Sequence, residues 1–220
     1  MLFAIDDKII EQYVETHTGY INGDEYLDEI ERFTFWHTVN PRMISGKIQA
    51  RLLQFMVMAL NPSRVLEVGT FTGYSAVAMA NVLKKGGKIF SFEVNPQYTE
   101  IAKSFFAKFG MSKRIILIEG DVRRMIDVFD IQEFDLIFID GEKDEYVEYY
   151  ETLLPYLSAG GLMVADNVLW SKKIFDTKAN DKKTRHLRDF NEYVSKDDRV
   201  HNFILPVRDG LMLIKKKPVL

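Results

Sequence analysis

Three oxygen-bearing side chains, Asp140, Asp166 and Asn167, stand at the ends of two apolar runs, residues 134–139 and 162–165. Two carboxylates and an amide oxygen are hard donors. They suit Mg²⁺, Mn²⁺ or Ca²⁺, with water or substrate oxygens completing the shell. One such acid alone reads more readily as a helix cap. The set at two strand ends reads as a site, because open α/β sheets bind ligands beyond the carboxyl ends of their strands.

A second chemistry-bearing stretch comes earlier. The aliphatic run 65–68 passes into Gly69-Thr70-Phe71-Thr72-Gly73 and then a helix over 74–85. This is a buried strand, a glycine turn and a helix whose first N–H groups favour polar or anionic ligand atoms. Neither G-x-G-x-x-G nor a G-K-[ST] phosphate loop is present, which disfavours a nicotinamide dehydrogenase. The next strand, 88–92, ends in Glu93, about 20 residues past the turn, where such folds place a carboxylate on ribose hydroxyls. The pattern suits an adenosine without a pyrophosphate. The plainer alternative is an ordinary strand–turn–helix with a surface glutamate.

The elements that must position these residues follow from periodicity. Strands are expected at 65–68, 88–92, 114–118, 134–139 and 162–166. Helices are expected at 74–85, 96–109, 121–130 and 144–157, the last stopped by Gly160-Gly161. This alternation implies an α/β fold with a mainly parallel sheet and helices on both faces. Residues 200–206 and 211–214 read as an antiparallel hairpin, making seven strands. Residues 171–185 read as an exposed basic loop before a helix at 186–195. Upstream, 6–38 read as two short amphipathic helices, and a further helix ends at Asn61-Pro62. Phe33, Phe35 and Trp36 read first as core packing, with a subunit contact or a cap over a site as alternatives.

Bulk properties narrow the class. The chain has 220 residues, no cysteine and a net charge of -3. Disulfides, thiolate metal sites and cysteine nucleophiles are thereby excluded, and a broad electrostatic footprint for nucleic acid is disfavoured. The first residues show neither a basic n-region nor a long apolar segment, so a cytoplasmic protein with no membrane partner is expected. A single domain is expected over 1–220, with 1–40 as a helical cap and 41–220 as the core.

In order, the segments Met43-Ile44-Ser45-Gly46, Glu67 through Ser75, Glu93, Asp140-Gly141-Glu142-Lys143-Asp144-Glu145-Tyr146, Asp166-Asn167-Val168-Leu169-Trp170 and Arg208-Asp209-Gly210-Leu211 form a pattern. It resembles the class I S-adenosylmethionine-dependent O-methyltransferases of the metal-dependent catechol and caffeoyl-CoA type. The resemblance covers about residues 41–217 and implies a Rossmann-like core. It further implies that Asp140, Asp166 and Asn167 hold a divalent cation, with Mg²⁺ foremost, and that Glu93 binds ribose. Glu67, Gly69, Thr70 and Ser75 would line the methionine part, with Met43 and Ser45 closing over it. Asp121 and Val122 would lie near the adenine, and Asp140 would border the cofactor as well. Lys143 would be the general base, its pKa depressed by the dication. The implied acceptor is a small catechol-like or hydroxycinnamoyl-type aromatic, and the implied assembly is a homodimer. A non-catalytic or differently specific S-adenosylmethionine-binding protein, or a nucleic-acid methyltransferase, are the alternatives.

Overall fold

A computed structural model describes residues 8–128 and 133–218. Its strands are β1 (Arg64–Val68), β2 (Lys88–Glu93), β3 (Ile115–Glu119), β4 (Phe134–Ile139), β5 (Leu157–Ala165), β6 (Val200–Leu205) and β7 (Leu211–Lys216). They form one seven-stranded sheet in the order β3-β2-β1-β4-β5-β7-β6. Pairings β1/β2, β2/β3 and β4/β5 are parallel, whereas β7 runs antiparallel to both β5 and β6. The fold is therefore the expected Rossmann-like α/β sheet with its C-terminal hairpin. Among the described residues no helix is long and apolar enough to cross a membrane.

The chain divides into two compact units. The first, Asp7–Asp121, carries α1 (Lys8–Thr16), α2 (Asp24–His37), α3 (Gly46–Leu60), α4 (Tyr74–Val82) and α5 (Pro96–Lys108) with β1 to β3. Strand β1 is buried from Val65 to Val68, and every residue of α4 from Tyr74 to Ala80 is buried. An element covered on all sides needs no amphipathic stripe, which is why this stretch is apolar apart from Glu67, Ser75 and the tip of Tyr74. Asn95 caps α5 by accepting the Gln97 N–H at 2.9 Å, with Pro96 at the first helical position.

The second unit, Val122–Leu220, carries α6 (Val122–Met125), α7 (Tyr146–Leu153) and α8 (Lys182–Ser195) with β4 to β7. Five expectations change here and in the first unit. Helix α7 ends at Leu153, because Pro155 has no N–H to continue the ladder. Gly160-Gly161 lie inside β5 and not at a helix end. The register moves from Phe134↔Leu157 to Leu136↔Leu162, so the glycines form a bulge, with Gly160 at φ 76°. Helix α8 begins at Lys182, four residues early, because Asp181 accepts the Thr184 N–H (3.1 Å) and its hydroxyl (2.7 Å). Phe35 and Trp36 do not enter the core. They are 52 % and 83 % exposed and line an open groove with Asp28, Glu31, Arg32 and Lys47. The helix expected at 121–130 is α6 followed by a 3₁₀ turn, Ile126–Val128, and its end lies outside the described residues.

The start of β6 is tied to α7 by charge. Asp197 receives Arg199 Nη2 at 2.5 Å and the Tyr150 hydroxyl at 2.8 Å. The Arg199 guanidinium, helped by that hydroxyl, holds the Asp197 carboxyl down at about 2. A folded-state pKa below the unfolded value stabilises the protein above about pH 4, and that stability is lost as pH falls toward 2. Arg199 is half exposed, so the contribution is discounted for solvent screening to about 1–2 kcal/mol. Urea melts should show Asp197→Asn destabilised by that amount at pH 7. Near pH 2 the difference from the parent should vanish.

Candidate active site

In the first unit, two glutamates organise the glycine turn. Glu67, on β1, is fully buried. Its Oε1 accepts the Ser75 hydroxyl and its Oε2 the Ser91 hydroxyl, each at 2.5 Å. Ser91 Oγ also lies 2.5 Å from Thr70 Oγ1. Thr70, Ser75 and Glu67, three of the expected cofactor residues, are thus joined through a fourth. Ser91 escaped the sequence reading. Its only signal was a hydroxyl in the middle of an otherwise apolar strand.

Glu93, at the end of β2, is 7 % exposed. Its Oε2 accepts the Phe71 N–H (2.7 Å) and its Oε1 the Asn95 N–H (2.9 Å). The carboxylate therefore fixes the turn and keeps further lone pairs for a ligand. Phe71 sits at φ 50° and Gly69 and Gly73 near 90°, so alternate residues of the turn take the left-handed region. A Cβ on Gly73 would stand 2.7 Å from the Phe106 ring, so no larger residue fits without moving α5. The Gly120 N–H donates to the Glu93 carbonyl at 2.8 Å, which brings half-buried Asp121 to the same strand end. Ser45 is buried at the start of α3, and Met43, just before it, is 53 % exposed. Val122 is buried at the start of α6.

In the second unit, the loop after β4 and the loop after β5 are joined by one tyrosine. The Lys143 ammonium donates to Asp140 Oδ1 at 2.6 Å and to the Tyr146 hydroxyl at 2.9 Å. That hydroxyl donates onward to the Asp166 carbonyl at 3.0 Å. Lys143, Tyr146 and Asp166 are all buried. The D-x-x-K-x-x-Y spacing puts Lys143 in a 3₁₀ turn, Lys143–Glu145, and Tyr146 at the first residue of α7. Tyr146 is a second site residue to which the sequence assigns no role, although the D-x-x-K-x-x-Y spacing contains it.

Asn167 takes a left-handed backbone conformation, φ 59°, and its N–H donates to Asp166 Oδ1 at 2.6 Å. Asparagine tolerates that region better than most residues. The donor chemistry at these strand ends is all oxygen and carries two negative charges, and the Lys143 ammonium already lies against one of them. A cation is therefore at home there. Among the described residues no group of three or more His, Cys, Asp or Glu side chains is arranged to hold a metal. The set here is two acids and an amide, which fits a hard cation that keeps ligands for water or substrate.

Burial by itself would lower the Lys143 pKa, but the charges of Asp140 and Asp166 raise it above the ordinary lysine range. In this geometry the group is an ammonium. Burial likewise pushes the Tyr146 phenol up, so it stays a donor. The depressed lysine pKa expected from the resemblance is therefore not a property of the protein atoms alone.

A family model described as O-methyltransferase matches residues 16–217. Caffeoyl-CoA O-methyltransferase 1 of Zea mays is 30% identical over 216 residues, which cover 93% of this chain and 83% of that one. Among solved structures, the O-methyltransferase from Bacillus cereus in complex with SAH (S-adenosylhomocysteine) superposes with a TM-score of 0.87 at 25% identity. That match covers 95% of this chain and 97% of the other. The SAH-bound Podospora anserina methyltransferase PaMTH1 gives 0.88 at 28% identity, covering 99% and 98%.

Two substitutions test the two clusters separately. Glu93→Ala should weaken SAH binding by about 1–3 kcal/mol in calorimetry, the scale of lost charge-assisted hydrogen bonds. Tyr146→Phe keeps the ring and removes the bridge from Lys143 to the Asp166 carbonyl. Turnover should fall about tenfold, near 1.4 kcal/mol of barrier, with SAH affinity unchanged. A loss of SAH affinity instead would place Tyr146 in the wrong cluster.

Proposed function

This chain belongs to the O-methyltransferase family, and on that premise we propose that it methylates a hydroxyl of a small catechol-like or hydroxycinnamoyl-type aromatic in a divalent-cation-dependent reaction. Transfer from S-adenosylmethionine to a small-molecule oxygen is the reaction of the family. The observation that supports the finer reading is the hydrogen-bonded series from half-buried Asp140 through buried Lys143 and Tyr146 to Asp166.

S-adenosylmethionine supplies a methyl group made electrophilic by its sulfonium. When bound, a divalent cation held by Asp140, Asp166 and Asn167 supplies positive charge that favours the ionised form of a nearby hydroxyl and the neutral form of a nearby amine. The protein's own residues do the rest. Glu67, with Gly69, Thr70 and Ser75, lines the place of the methionine part, and Glu93 offers lone pairs to the ribose hydroxyls. Asp121 and Val122 border the adenine, and Met43 and Ser45 cover the cofactor.

A phenol titrates near pH 10, so a neutral acceptor is a poor nucleophile at pH 7. Lys143 Nζ is the atom we assign to receive the acceptor's proton. Asp140 now holds that nitrogen as an ammonium. Once the carboxylate's charge is engaged elsewhere, burial favours release of the ammonium proton to solvent, and the neutral amine that remains can act as a base. Tyr146 keeps Nζ in place through the change, since its hydroxyl accepts from Nζ and donates to the Asp166 carbonyl. Nζ would take the proton as the acceptor oxygen takes the methyl group, with a neutral thioether as the co-product.

A methyl-transfer screen over catechols and hydroxycinnamoyl thioesters, run with Mg²⁺ and with a chelator, tests this reading. Turnover should require the cation. Asp140→Ala should fold normally by circular dichroism and lose cation-dependent turnover. An Asp140→Ala enzyme as active as its parent would refute the cation mechanism.

A further inference from the structure

The turn between β6 and β7 is zipped onto the segment that follows Asp166 and Asn167. The Val168 N–H donates to the Gly210 carbonyl (3.1 Å), and the Leu169 N–H donates to the Asp209 carbonyl (2.8 Å). The Ser171 N–H donates to the Asp209 carboxylate. A Cβ on Gly210 would stand 2.3 Å from the Leu169 side chain, which lies directly against this glycine. Arg208 lies in this turn, next to the ladder, at φ 50°. Glycine adopts that conformation freely and an L side chain does not. Retaining arginine there calls for an offsetting role of the side chain.

Two buried nitrogens beside this ladder have no partner, Arg208 Nη1 and the Trp170 indole Nε1. Both are donors only. A buried donor left unmatched is unfavourable, and more so when it is charged. The amide of Asn191 also leaves its Oδ1 unpartnered, while its nitrogen donates to the Val168 carbonyl at 2.9 Å. A neutral amide oxygen cannot balance a guanidinium. The Asp209 carboxylate, adjacent in sequence, is engaged by Ser171.

The surroundings favour an anion. Residues 171–188 contain seven basic side chains against two acidic ones, in a chain of net charge -3. Arg188 ties this strap down by donating to the carbonyls of Lys173, Ile174, Asp176 and Ala179. Lys173 Nζ lies 5.7 Å from the centre of the Trp170 ring.

We infer that the methyl acceptor carries a free carboxylate away from the hydroxyl that is methylated, and that Arg208, with the Trp170 N–H, receives it. The inference rests on the reading of Asp140, Lys143 and Asp166 as the acceptor side of the reaction. The ladder starts one residue beyond Asn167, so the anion must sit close to the acceptor ring. A carboxylate on the ring or a short side arm meets that requirement, whereas the remote phosphates of a coenzyme A thioester do not. The planar guanidinium fork matches a carboxylate in shape as well as charge.

Calorimetry in the presence of SAH and Mg²⁺ decides the matter, using 3,4-dihydroxybenzoate, its neutral amide and a hydroxycinnamoyl-CoA thioester as probes. The parent should bind the acid about tenfold more tightly than the amide, the scale of a hydrogen bond to a charged group. Arg208→Gly should lose that preference with an unchanged or higher melting temperature, since it relieves the backbone. Arg208→Lys should keep part of it. Equal binding of acid and amide, binding of neither, preference for the thioester, or an acid preference that survives in Arg208→Gly would each overturn the inference. So would a glycine variant that melts far below the parent, which would make Arg208 a structural residue. A chelator without effect on turnover would refute the cation mechanism yet leave the acid–amide difference standing.

Discussion

A buried ammonium must have a carboxylate beside it, and the second half of this molecule is arranged around that need. Lys143 cannot be solvated where it lies, so Asp140 accepts a hydrogen bond from its ammonium at 2.6 Å and Tyr146 fixes its other side. The same tyrosine reaches the Asp166 carbonyl, so two loops from different strands move as one piece. A pair this closely matched is inert until its charges are redistributed. On the proposed reading that is a useful resting state for a base, because the amine is stored in protonated form next to the acid that must be engaged before it can act.

The first half meets the opposite problem, buried negative charge. Glu67 and Glu93 lie in the interior, where little water reaches them. They are stabilised by hydroxyls and backbone N–H groups instead. This spends Ser75, Ser91 and the Phe71 amide on orientation. The glycine turn is consequently rigid before any ligand arrives, and a preorganised cradle loses less entropy on binding than a mobile one.

The matched residues 16–217 include the glycine turn, the Lys143 cluster and the strap from Trp170 to Arg188 alike. On the reading proposed above, the first two serve the reaction, and the strap with the turn at Arg208 selects what is brought to it. The strap carries three consecutive residues at positive φ, Trp170, Ser171 and Lys172, and is pinned by Arg188. Strained backbone at such a place is stable only because neighbouring bonds over-determine it.

Local periodicity told which residues turn inward, and that sufficed for the alternation of strands and helices and for the hairpin. The spacings D-x-x-K-x-x-Y and D-N-x-L-W likewise marked the chemical groups without any coordinates. Partners were not legible, because a hydrogen bond between Glu67 and Ser91, or between Tyr146 and the Asp166 carbonyl, depends on two backbone paths meeting across 20 or more positions. Glycine pairs misled for a related reason. Gly160-Gly161 have the composition of a helix stop, but the partner strand β4 makes them a bulge. The chain alone determined which side chains could bind, donate or accept. Only the folded backbone decided whom they met, since burial and charge pairing are properties of neighbourhoods that no short stretch contains.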